Sequence, residues 1–146
     1  MLDFYVDSAR VAIENVKKAF ATPFGIFVYF AVTGVMGVVI LMFFFSMLLS
    51  GSSLAMALPV ILAFNGACCG YGIVDRGRTD FPLLSPAIVV ISLLLLATGY
   101  AVLDLLVPWE SFTGAIRLLI SGSLVVGFSF FGTWIAHKNK NLQNKS

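Results

Sequence analysis

The stretch FGIFVYFAVTGVMGVVILMFFFSMLL, Phe24 to Leu49, decides the fold, because no charged side chain interrupts it. A helix needs roughly 20 apolar residues to cross a hydrocarbon core about 30 Å thick. At ~1.5 Å per residue this run is longer than the core, so a tilted span is expected. Three further runs follow it. Ser53 to Val74 is uncharged, Leu83 to Val107 carries only Asp104, and Ala115 to Ala136 carries only Arg117 near its start.

The composition agrees with that reading. Of the 146 residues, 60% are hydrophobic and 11% charged, with a mean hydropathy of +1.01. Soluble domains average about 45–50% apolar and about 25% charged residues. A water-soluble domain this small leaves too much surface exposed to hide the excess. The expected fold is all-α: a polytopic membrane protein, with four transmembrane helices in an antiparallel bundle and an N-terminal interfacial amphipathic helix. The expected boundaries are 1–22 for the amphipathic helix and 23–137 for the transmembrane domain, with spans at about 24–49, 53–74, 83–107 and 115–136. A polar basic tail, 138–146, is expected to be disordered. The links Ser50–Ser52, Asp75–Pro82 and Pro108–Gly114 are short. Short links make sequential spans antiparallel neighbours and leave no room for a separate extramembrane active site. Ala55-Met56-Ala57 mimics a signal cleavage site, but the preceding apolar run far exceeds the ~7–15 residues of a signal core. The first helix is therefore expected to stay.

Charge placement gives the orientation. Arg10, Lys17 and Lys18 precede the first span, Arg76 and Arg78 lie between the second and third, and Lys138, Lys140 and Lys145 follow the fourth. Four spans put all three basic clusters on one side, and three or five would split them. Short basic loops mark the cytoplasmic side. Both ends are expected in the cytoplasm, in a cytoplasmic membrane of prokaryotic type. The net charge of +2 is too small to point to a nucleic-acid partner.

In the first twenty residues, Leu2, Tyr5, Val6, Ala9, Ala12, Ile13, Val16 and Phe20 form one helical stripe opposite mostly polar side chains. This is an interfacial helix by pattern. It is read as a float for span one, as a docking surface for a partner subunit, or as a lipid sensor. Thr22-Pro23 ends it.

Few side chains suggest chemistry. Gly66 and Gly70 make a small-xxx-small step suited to close helix packing, within the bundle or against another subunit. Pro59 predicts a kink before Asn65. Asn65 is expected to bond across the bundle, or else to line a substrate path. Cys68 and Cys69 are adjacent, so on a helix their thiols diverge by about 100° and meet one ion poorly. They read as packing residues, with soft-metal binding as the alternative. Asp104 and Arg117 fall at similar depth on either side of the third turn. An interhelical salt bridge closing that hairpin is expected, with Glu110 as a competitor for Arg117 and a site at the outer mouth as the alternative. No Asp, Glu, Lys, Arg or His lies at mid-membrane depth, where proton-coupled pumps carry such a group. The only histidine is His137, at the end of span four. No catalytic residue and no cofactor is assigned.

A shift of 62 residues aligns Gly70, Ile73, Arg76 and Arg78 with Gly132, Ile135, Lys138 and Lys140. Spans one-two and three-four would then be parallel repeats. The functional expectation is a structural or accessory subunit of a larger membrane complex, with the lipid bilayer and other membrane subunits or further copies as partners. A small oligomeric transporter or channel, and a thiol-dependent metal-handling protein, are the alternatives.

Overall fold

In the computed structural model, Thr22 opens the first long helix: its Oγ1 accepts from the Gly25 amide at 3.1 Å, and Pro23 follows at the first helical position. Proline suits that place because its missing N–H would have had no partner there. The structure describes residues 10–18, 21–77, 84–107 and 114–144. They form five helices: α1 (10–18), α2 (Pro23–Ser46), α3 (Gly51–Arg76), α4 (Leu84–Leu106) and α5 (Ala115–Gln143). The helices α2 to α5 are each long and apolar enough to cross a membrane. Their outward faces carry large apolar side chains such as Val32, Met36, Ile40, Leu93, Leu105 and Phe131. Exposed apolar surface on that scale fits hydrocarbon, not water.

The chain runs up and down through four spans, and α3 is the most enclosed. It touches α2, α4 and α5, and its closest association is with α5. The core lies where these meet, around Val38 and Met42 of α2, Leu58 and Leu62 of α3, Leu95 of α4 and Val125 of α5. The helix α3 continues through Pro59 without a break.

Two expectations change. The disordered tail is instead helical: α5 continues to Gln143, with Asn144 as its C-cap. The reason is tertiary. Lys140 Nζ donates to the carbonyls of Val74 and, at 3.0 Å, Gly77, which close α3. An ammonium there satisfies acceptors that the helix end leaves open and suits its dipole. The repeat does not extend over the whole chain. At the α3–α5 contact, Gly70 faces the Ser129 backbone while Gly132 faces the Ala67 backbone, a local two-fold relation at the 62-residue shift. Extending it would require α2 to touch α5 as α4 touches α3. Among the described residues, α2 meets α3 and α4 only.

The α1 residues are all exposed, Ile13 and Val16 included, so no part of the bundle core covers their apolar stripe. The rest of the expected stripe, Leu2 to Ala9 and Phe20, lies outside the described residues.

Candidate functional site

Apolar helix faces gain little by leaving lipid for each other, so a bundle closes through tight backbone approach and interhelical hydrogen bonds. Of the residues singled out by sequence, Gly66, Gly70, Asn65 and Cys69 fall on these contacts. A Cβ at Gly66 would stand 2.5 Å from Ser129 Oγ and 3.0 Å from the Val125 carbonyl, and one at Gly70 would strike the Ser129 backbone. Both therefore pack α3 onto α5, a helix two elements away in sequence.

Asn65 is buried and turned the other way, toward α2. Its Nδ2 donates to the Ile61 carbonyl at 3.1 Å, and its Oδ1 lies so close to Gly37 that a Cβ there would clash with it. The amide is returned to its own helix, so the hydrogen bond does not cross the bundle as expected. The interhelical contact is with the Gly37 backbone. Cys69 packs beside it, with Sγ 3.5 Å from the Phe30 carbonyl and 2.7 Å from a Cβ built on Gly34. Cys68 is exposed and lines an apolar groove of about 720 Å³ between α3 and α5, with Val60, Phe64, Leu124, Phe128 and Phe131. The two thiols thus face different seams, which suits packing better than one shared ion.

Sequence reasoning missed the hydroxyl pairs between α4 and α5. Ser92 Oγ stands 3.1 Å from Ser129 Oγ, and Tyr100 Oη stands 3.0 Å from Ser121 Oγ, all buried. The only sequence signal was a hydroxyl on each of two facing spans. Ser129 Oγ donates to the Val125 carbonyl at 2.7 Å, and Ser92 Oγ lies 2.8 Å from the Ile88 carbonyl. Such back-bonding keeps a hydroxyl satisfied in a medium without water.

These pairs fix the hairpin register. From the first pair to the second, α4 advances eight residues and α5 recedes eight. Four more in each direction arrive at Asp104 and Arg117, the pair expected to be level. Both are exposed, Asp104 near the end of α4 and Arg117 in the first turn of α5. Glu110 and Arg78 lie outside the described residues.

The opposite end of the bundle is basic. The Arg76 guanidinium stands 5.0 Å from the Tyr29 ring centre, Lys138 Nζ stands 5.5 Å from that of Trp134, and Lys140 caps α3. His137 lines a small surface hollow with Trp134, Lys138, Asn141 and Leu142, where among the described residues no thiol or carboxylate meets it. Among the described residues, no three His, Cys, Asp or Glu side chains gather as metal ligands would. The contacts described close helices on one another. No protein-family model matches the chain, and neither a curated protein nor a solved structure matches it.

Proposed function

We propose that this chain is a non-catalytic structural or accessory subunit of a larger membrane assembly, seated in a prokaryotic cytoplasmic membrane with both ends in the cytoplasm. One observation carries the reading: among the described residues, the buried polar side chains are spent inside the bundle. Asn65 bonds Ile61, Ser92 meets Ser129, Ser121 meets Tyr100, and Thr133 bonds the Phe130 carbonyl at 2.6 Å. A transport path would need such groups turned toward a common water-filled lumen. Asn65, its best candidate, is pressed against Gly37 instead. The faces left over are apolar, including the stripe of α1 and the α3–α5 groove, and they suit neighbours in the bilayer. The basic residues Lys17, Arg76, Lys138 and Lys140 support the orientation by the positive-inside tendency.

The test is extraction of native membranes into polymer-bounded discs without dissociating detergent. The expected result is a particle in which this 15.8 kDa chain stands in fixed ratio with a different membrane protein. Deleting either should lower the abundance of the other. A lone monomer, or solute flux in reconstituted vesicles that Asn65→Leu abolishes, overturns the proposal. Reporter tags that place the two ends on opposite faces overturn the orientation.

A further inference from the structure

We infer that the seam where α1 meets the start of α2 and the end of α3 binds the phosphate-bearing headgroup of an anionic membrane lipid. A hollow of about 290 Å³ opens there. Lys17 of α1 and Arg76 of α3 reach it across a floor that includes Val16, Ile26, Tyr29 and Phe30, and among the described residues no acidic side chain lines it. Asp75 and Glu14 are near in sequence but are not part of the lining.

Two cations from distant segments facing one hollow repel each other, and an anion between them reverses that term. Arg76 is held in place for the task. Its guanidinium carbon lies 5.0 Å from the Tyr29 ring centre and 5.7 Å from that of Phe30, so two aromatic rings position the fork. A guanidinium so fixed still offers N–H groups to two phosphate oxygens at once. The competing acceptors are already taken: Lys140 holds the last carbonyls of α3. The start of α2 adds the positive end of its dipole, with no acidic residue in its first turn.

The same hollow favours a lipid over a free anion. Its floor is aliphatic and aromatic, which suits the glycerol and upper acyl carbons below a phosphodiester. It lies at the end of two spans, where headgroups sit, and is lined on the α1 side by exposed Val16. A basic pocket beside membrane-spanning helices on the cytoplasmic side meets the leaflet rich in anionic lipid.

The full chain is reconstituted in nanodiscs of equal phosphatidylcholine and phosphatidylglycerol, and the lipids retained on release are counted by native mass spectrometry. Phosphatidylglycerol should be retained preferentially. Lys17→Gln and Arg76→Gln should each lower that preference about fivefold, the factor contributed by one basic residue at an anionic surface. Arg76→Lys should recover only part of the loss, because an ammonium keeps the charge but not the two-pronged fork. Lys138→Gln, on the same end but outside the hollow, should leave the preference unchanged. If Arg76→Gln loses helical signal, Lys17→Gln decides, because exposed α1 adds nothing to the bundle core. Undiminished preference in Lys17→Gln, an equal loss in Lys138→Gln, or displacement of the lipid by millimolar inorganic phosphate overturns the inference. None of these outcomes depends on the subunit reading.

Discussion

The helix α5 has two seams, and they are closed by opposite means. Against α3, glycines bring backbone onto backbone: Gly66 and Gly70 on one side, Gly132 on the other. Against α4, side chains reach across, Ser92 to Ser129 and Tyr100 to Ser121. Both answer one constraint, since lipid tails are as apolar as leucine and burial alone does not draw helices together. The glycine seam works by dense van der Waals contact and tolerates no added atom. The hydroxyl seam works by a few directed bonds, and losing one leaves the shape intact. One seam should therefore fail by steric exclusion and the other by small increments.

The largest effect should come from Gly70→Leu or Gly132→Leu. At either position the first side-chain carbon already meets main-chain atoms of the facing helix, which cannot rotate away. Overpacking typically destabilises by about 1–3 kcal/mol, and a clash with main chain belongs at or beyond the upper end. Reversible unfolding in mixed micelles should show it. Gly127→Leu is the control, because a Cβ there meets nothing within 4 Å. Equal losses at Gly127 and Gly70 would break the contrast between the seams.

Asn65 combines the two means at the α2–α3 seam, a polar side chain pressed on a glycine. Asn65→Leu should lower stability by about 1 kcal/mol, the scale of polar contacts between membrane helices. Reconstituted vesicles should show no solute flux with either the native chain or the variant. A variant as stable as the native chain would show that the polar group contributes nothing at this seam.

How far the sequence reaches follows the same division. Span number and type were legible because a charge-free run such as Phe24 to Leu49 has one good solvent. Boundaries fell within three residues except at the end of α5, since polar links such as Ser50 to Ser52 are short. The packing role of Gly66 and Gly70 was legible from spacing, but their partner was not, because α5 lies two helices further along the chain. The helical tail was illegible for a similar reason: the carbonyls that hold Lys140 belong to α3. The serine pairs were hidden because a hydroxyl in a span can bond its own helix, as Thr33 does to the Tyr29 carbonyl at 2.8 Å. The level of Asp104 and Arg117 needed only the hairpin turn, and the hydroxyl pairs give the same register.

At the hydroxyl seam, Tyr100→Phe and Ser121→Ala should each lower stability by about 0.6 kcal/mol, the mean for hydrogen bonds between membrane helices. The double variant should lose less than the sum, because the two share one bond of 3.0 Å. Full additivity would mean that the contact carries no energy of its own.

The smallest effect tests whether the register continues past the last hydroxyl pair. Four residues beyond Tyr100 and Ser121, Asp104 and Arg117 are brought level, both exposed at the end away from Lys140. Exposed ion pairs contribute about 0.2–1 kcal/mol, and salt screens them. A cycle of Asp104→Asn, Arg117→Gln and the double variant should therefore show a coupling of a few tenths of a kcal/mol that shrinks as salt rises. Exchanging the two charges should restore it, because an attraction between level groups does not depend on which helix bears which sign. If coupling is absent here but present between Glu110→Gln and Arg117→Gln, the arginine is turned toward the connecting loop. The side-chain pinning of α4 to α5 then ends at Tyr100, and the hairpin mouth is closed by its loop.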